Sequence, residues 1–214
     1  MNEKVSGLDQ IRLAVRKVMR VVARGLNTVS GGRLSPNFVT IQGLIAHVAI
    51  AIFIASDRLI IAGCLLVIFG LFDTLDGELA RLQNKASAFG MLLDSITDRV
   101  KEIILYISIA YFIIADGRPF MAIWAVAACG VSLLTSYTNA WGDAVLSTVK
   151  TSEHTVNKTF RGGLLGFELR MVVLILGLLT NKIVLSIILI TILGSITVIQ
   201  RLMYLTSRLY HDKS

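Results

Sequence analysis

Four aspartates stand where a membrane should exclude them. Asp73 and Asp76 follow an apolar run with no break signal between, and Asp94 and Asp98 lie on the next apolar segment. An ionised carboxylate in the hydrocarbon costs about 2.5–3.5 kcal/mol on insertion scales. Four of them must therefore face a polar cavity, bind a cation, or both. Asp73 and Asp76 are three residues apart, while Gly90, Asp94 and Asp98 recur every four, so each set shares one helix face. Two helices turning these faces to a common centre make an all-oxygen cage. Such a cage suits the hard cations Mg²⁺, Mn²⁺ or Ca²⁺ rather than zinc. The histidines, His47, His154 and His211, lie elsewhere in the sequence. One Mg²⁺ usually takes one or two carboxylates, so four point to two metals held close together. Gly77, Ala80 and Gly90 remove bulk beside the acids and let a ligand approach the backbone, although small residues at this spacing also serve helix packing. Arg81, one turn beyond, offers a fork for phosphate.

The elements that must position these residues are membrane helices. Of 214 residues, 55% are hydrophobic and only 16% are charged. Soluble domains carry about 25% charged residues, so the polar surface is too small for a water-soluble globule. A mean hydropathy of +0.73 agrees. The composition excludes a disordered chain, a collagen-like fibre and a disulfide scaffold; Cys64 and Cys129 both sit inside apolar runs. Apolar runs cover Phe38–Ala55, Leu59–Phe72, Phe89–Leu93 continued by Ile103–Ala115, Phe120–Leu134, Met171–Leu179 and Ile183–Ile199. Read against the length a bilayer requires, they predict an all-α integral membrane protein with six transmembrane helices. No sustained period-two alternation supports a barrel. The first run also begins too late for a signal peptide.

Residues 1–33 form a separate cytoplasmic segment, and residues 34–214 the membrane domain. In the first, Arg12, Arg16, Arg20 and Arg24 recur every four residues beside Ile11, Val15, Val18, Val22 and Leu26. That pattern predicts an amphipathic helix on the membrane surface, its basic stripe toward anionic headgroups. Gly31-Gly32 ends it, and Ser35-Pro36 opens the first span. With six spans, only Arg58, Arg118 and Lys182 fall on one side, and the other 18 of the 21 Lys and Arg fall on the opposite side. The positive-inside rule then puts both termini and the acidic cluster in the cytoplasm. The net charge of +7 is thus a topology signal, and no nucleic-acid partner is expected.

Asp73-Thr74-Leu75-Asp76-Gly77-Glu78-Leu79-Ala80-Arg81, eight further residues, and Gly90-Met91-Leu92-Leu93-Asp94-Ser95-Ile96-Thr97-Asp98 resemble the signature of the CDP-alcohol phosphatidyltransferases. Every fixed position of D-x2-D-G-x2-A-R-x8-G-x3-D-x3-D is present. Pro36-Asn37-Phe38-Val39-Thr40 also resembles the Pro-Asn-x-x-Thr opening of that family's first membrane helix. The resemblance implies transfer of a phosphatidyl-type group from a CDP-linked lipid to a polar alcohol, with release of CMP. It implies Mg²⁺ or Mn²⁺, two ions, on Asp73, Asp76, Asp94 and Asp98, with Asp98 also the general base. Asn37, Thr40, Asp76, Gly77, Ala80, Arg81 and Gly90 would line the cytidine and diphosphate pocket. A homodimer in a bacterial or archaeal cell membrane is expected on the same ground, with the lipid donor, the acceptor and membrane lipids as partners.

The acceptor is read from the later segments. Members that use inositol phosphate carry Tyr-x-Lys/Arg-Ala-Arg-Ala-Glu after the fourth span. Here Tyr137 and Ala140 are kept, an acid stands at Asp143, and Asn139 and Trp141 replace the basic residues. Glu168 and Arg170 keep a Glu-x-Arg pair, and Lys101, Tyr137, Arg161 and Arg170 are the acceptor candidates, with Lys158 also able to gather there. These basic residues suit a phosphorylated acceptor, inositol phosphate or glycerol phosphate, ahead of an uncharged alcohol. Positive-inside charges alone would also account for them. Without the signature, the intramembrane acids would equally suit an ion- or proton-coupled transporter. That reading calls for inverted repeats and broken helices, and no repeat is visible.

Overall fold

A computed structural model describes residues 7–148 and 165–211. The described residues are helical, without strands. They form α1 (Gly7–Val29), α2 (Pro36–Ala55), α3 (Leu59–Phe69), α4 (Phe72–Leu82), α5 (Ala88–Ala115), a 3-10 turn (Pro119–Met121), α6 (Ala122–Thr148), α7 (Phe167–Leu179) and α8 (Ile183–His211). The chain divides into two compact units, Met1–Ala51 with Cys64–Ile104, and Ile52–Gly63 with Leu105–Ser214.

Among the described residues, four helical stretches are long and apolar enough to cross a membrane: Pro36–Ala55, Leu59–Leu82, Pro119–Val145 and Ile183–Ser207. The second contains a break that the uninterrupted apolar run did not announce. The helix turns at Gly70-Leu71, so Asp73 and Asp76 belong to a new helix. A β-carbon at position 70 would stand 2.8 Å from the Leu66 carbonyl oxygen, so glycine is what lets this turn tighten. Phe69 and Phe72 pack across the break at 5.0 Å. The two apolar stretches expected to join past several charges do so: α5 is one helix of 28 residues.

In the first unit, α1 lies on α4. Met19 and Ala23 are buried with Val39, Leu75 and Leu79, and Val15, Leu34, Leu71 and Phe72 pack around them. The buried stripe is therefore Val15, Met19 and Ala23. Val18, Val22 and Leu26, which the spacing put on the same apolar stripe as Val15, stay exposed beside it. The helix ends as its glycines require, with Gly31 and Gly32 at positive φ and the Gly32 N–H donating to the Asn27 carbonyl at 2.8 Å.

In the second unit, small residues let helices approach closely, as is usual in membranes. A β-carbon at Gly194 of α8 would stand 2.5 Å from Val131 Cγ1 of α6, and one at Gly177 of α7 would collide with Ser186 Oγ of α8. Tyr106 and Ser132 join their hydroxyls at 2.9 Å. Three connections use the same device. Asp57, Gly117 and Asn181 take positive φ, and the next residue's N–H reaches back five positions, as in Arg58 to Phe53 at 2.8 Å.

Candidate active site

α4 and α5 bring the acids together within the first unit. Asp73 lies in the first turn of α4, and Asp94 and Asp98 occupy successive turns of α5. One oxygen from each of Asp73, Asp94 and Asp98 lies within 4.8 Å of the others. Asp76 stands beside this trio rather than in it. It is buried, and its Oδ2 accepts a hydrogen bond from Thr40 Oγ1 at 2.5 Å. The Pro36 carbonyl, 3.3 Å away, is the alternative acceptor for the same Thr40 proton, and the shorter bond is the one to Asp76. All four aspartates still act on one another: Asp94 is within electrostatic range of Asp73, Asp76 and Asp98.

The residues fit a hard divalent cation. The donors are all carboxylate oxygens, and Asp94 Oδ1 is buried with no hydrogen-bond partner. Such an atom carries a desolvation cost of about 1–3 kcal/mol or more unless something binds it. A cation on that oxygen would supply the missing partner.

The other expected residues fall into pairs. The Arg81 guanidinium lies beside Gly77, its Nη2 3.6 Å from where a β-carbon at position 77 would stand. Arg81 donates to Glu78 Oε1 at 2.7 Å, and Arg20 of α1 donates to Glu78 Oε2 at 3.1 Å. The buried Glu78 thus ties the basic stripe of α1 to the signature helix. Gly90 donates its N–H to Ser87 Oγ at 3.1 Å, so Ser87 caps α5. A β-carbon at position 90 would stand 3.6 Å from Asn37 Oδ1, which puts Asn37 beside Gly90. Ala80 is half-buried on α4. Lys101 lies against the acids: its Nζ donates to Asp73 Oδ1 at 2.5 Å and to Asp98 Oδ1 at 3.3 Å.

In the second unit, Tyr137 is exposed, with its ring edge-on to Trp141. Arg170 is 1% exposed. Its guanidinium lies over the Phe167 ring and donates to Ser136 Oγ at 3.2 Å. Arg161 and Lys158 lie outside the described residues.

Three features went unread in the sequence. Arg201 of α8, counted there only as a topology charge, is buried. It donates to the Thr135 carbonyl at 2.6 Å, keeps an unpartnered Nε, and is close enough to Arg170 to feel its charge. Asp143 is within electrostatic range of Arg201 as well and offsets part of that charge. Glu78 is the second feature. The third is His47, which the sequence seemed to place elsewhere. It is buried on α2, its Nδ1 lies 2.7 Å from the Gly43 carbonyl, and it feels the charges of Lys101 and Asp98. Thr40, Gly43 and His47 recur at helical spacing, and this stripe was the available signal.

The comparisons agree with this geometry. The family model described as CDP-alcohol phosphatidyltransferase matches residues 33–203. The phosphatidylinositol phosphate synthase of Mycobacterium tuberculosis (strain ATCC 25618 / H37Rv) is 33% identical over 135 residues, covering 62% of this chain and 61% of the relative. In that match the chain therefore spans somewhat under two thirds of the relative. The archaetidylinositol phosphate synthase of Methanothermobacter thermautotrophicus is 27% identical over 210 residues, covering 95% and 96% of the two chains. Among solved structures, Mycobacterium tuberculosis phosphatidylinositol phosphate synthase with CDP-DAG bound gives a TM-score of 0.73 at 25% identity, covering 88% of this chain and 94% of the other. The same enzyme in complex with manganese and citrate also gives 0.73, at 26% identity and 87% and 88% coverage. With the full signature, its carboxylates gathered between α4 and α5, and a family model spanning most of its length, this chain belongs to the CDP-alcohol phosphatidyltransferase family.

Proposed function

We propose that this protein transfers a phosphatidyl-type group from a CDP-linked lipid to a phosphorylated polyol and releases CMP, as a step in phospholipid synthesis. The observation that carries this reading is the convergence of Asp73, Asp94 and Asp98 with a buried, unpartnered Asp94 Oδ1 inside the complete signature. Asp73, Asp76, Asp94 and Asp98 would hold Mg²⁺ or Mn²⁺, two ions on this reading. Bound there, the metal supplies charge neutralisation for the diphosphate and for the charge that develops in phosphoryl transfer.

The chain's own groups do the rest. Asp98 takes the proton from the acceptor hydroxyl as that oxygen forms its bond to phosphorus and the bond to the CMP oxygen breaks. Thr40 orients Asp76. Asn37, Gly77, Ala80, Arg81 and Gly90 receive the cytidine and diphosphate, with Glu78 aiming Arg81 for its contact. Arg170 is kept as a candidate for the acceptor's phosphate on its place in the sequence, since a guanidinium matches phosphate oxygens. The synthases named above make inositol phosphate the first acceptor to try, and glycerol phosphate the second. Lys101, Tyr137 and Arg161 are further candidates on the acceptor side.

The membrane setting follows. Six spans, counting α5 and α7 beside the four long apolar stretches, would put both termini and the acids on the cytoplasmic side. Residues 1–33 would form an interfacial segment and residues 34–214 the membrane domain. The exposed Val18, Val22 and Leu26 of α1 suit an apolar surface at the headgroup level. A homodimer in a bacterial or archaeal cell membrane completes the reading.

The test is CMP release by purified protein with Mn²⁺ or Mg²⁺ and CDP-diacylglycerol, offered inositol phosphate, glycerol phosphate or serine side by side. Release is expected with a phosphorylated acceptor and not with serine. Asp98→Asn should reduce it by roughly a thousandfold. Unchanged release in that variant rejects Asp98 as base, and solute uptake without CMP would favour a transporter.

A further inference from the structure

Lys101 is only 3% exposed, a rare state for a lysine unless it is paired. Its ammonium bridges two helices, reaching Asp73 on α4 and Asp98 one turn back on α5. These are two of the three converging carboxylates. The third, Asp94, has the buried oxygen without a partner. The lysine also lies against α2: a β-carbon at Gly43 would make van der Waals contact with it, 3.8 Å from Lys101 Nζ and 3.9 Å from its Cε. Carboxylates gathered away from water repel one another, and a buried charge needs a partner. The ammonium supplies one from inside the chain.

We infer that Lys101 is a built-in counter-ion of the carboxylate cluster, which holds Asp73 and Asp98 together before metal binds and sets how tightly metal binds afterwards. The inference rests on the proposed metal site and deepens it. Any divalent ion taking Asp73 and Asp98 shares their carboxylates with this ammonium. A fixed positive charge at that range opposes a second cation. Lys101 is thus a positioning residue: it lets the cluster fold without metal and holds the metal affinity down.

The test uses the full-length protein purified in detergent, with Mn²⁺ as the probe. Thermal unfolding and Mn²⁺ titration calorimetry are run on wild type, Lys101→Met, Lys101→Gln, Lys101→Arg and Asp94→Asn. In the two neutral variants the metal-free midpoint should fall. Mn²⁺ should bind about tenfold tighter or more, and its stabilising shift should exceed that of wild type. Lys101→Arg should keep wild-type affinity. Neutral variants that fold only with Mn²⁺ present give the same answer, whereas failure to fold even with Mn²⁺ overturns the inference. So does an unchanged or weaker Mn²⁺ affinity in both. If the Mn²⁺ response of wild type matches that of Asp94→Asn, the metal site itself is wrong, a result distinct from the others.

Discussion

Arg170 and Arg201 show how a buried charge differs from a topology charge. Both are among the basic residues from which the positive-inside rule reads an orientation, and an exposed arginine would need no further reason. Buried, each guanidinium must find acceptors for its donors. Arg201 finds the Thr135 carbonyl but leaves Nε without a partner; the neighbouring Arg170 adds positive charge, and Asp143 offsets part of it. An incoming oxyanion would satisfy Arg201 Nε, because oxygen acceptors match the guanidinium fork. Arg201→Gln should therefore raise the KM for a phosphorylated acceptor by about ten- to hundredfold and leave the KM for the CDP-lipid near its wild-type value. Steady-state kinetics with each substrate varied in turn separates the two. Equal rises in both KM values would mark Arg201 as a general packing residue.

At the scale of elements, close helix approach depends on residues with no side chain to spare. Gly177 of α7 meets Ser186 of α8 where the two helices run back from the Asn181 turn. The Lys182 N–H closes that turn on the Gly177 carbonyl at 2.8 Å. A methyl group at Gly177 would collide with Ser186 Oγ and come within 2.7 Å of its Cβ. Gly177→Ala should then destabilise the protein by about 1–3 kcal/mol, seen as a lower thermal midpoint, and Ser186→Gly in the same chain should recover part of it. Full stability of the single variant would mean the helices can separate freely here.

The same scale shows what was legible beforehand. Both ends of α2 and α5, the C-terminus of α7, the start of α8, and the shared face of Asp94 and Asp98 follow from hydropathy and spacing alone, whereas α8 runs on to His211, past the apolar run that stops at Ile199. The break at Gly70-Leu71 does not, because apolar residues continue through it. Nor does the departure of Asp76 from the trio: spacing places Asp73 and Asp76 on one face, but only the packing of α2 shows that Thr40 holds one of them. The ion pairs of Lys101, which was read as an acceptor candidate, and the place of His47 beside the acids were missed for a related reason. Their partners lie on other helices, and sequence spacing reports neighbours within a single helix.

At the scale of the whole molecule, the charge distribution and the helix connections make one joint claim. Asp57-Arg58, Asp116-Gly117-Arg118 and Asn181-Lys182 are short, tightly closed connections with few basic residues. Lys85 lies in the exposed connection between α4 and α5, close to the end of the signature helix. On the six-span reading, the first three face the outside and Lys85 faces the cytoplasm, since short connections poor in Lys and Arg are the ones translocated. Single cysteines at Arg118, Lys182 or Lys85, in a chain with Cys64→Ala and Cys129→Ala, can report this with a membrane-impermeant maleimide. Arg118→Cys and Lys182→Cys should label in intact cells, and Lys85→Cys only after the membrane is opened. Labelling of Lys85→Cys in intact cells would turn the acids to the outer face, away from any cytosolic nucleotide-linked donor, and the proposed orientation would fail with it.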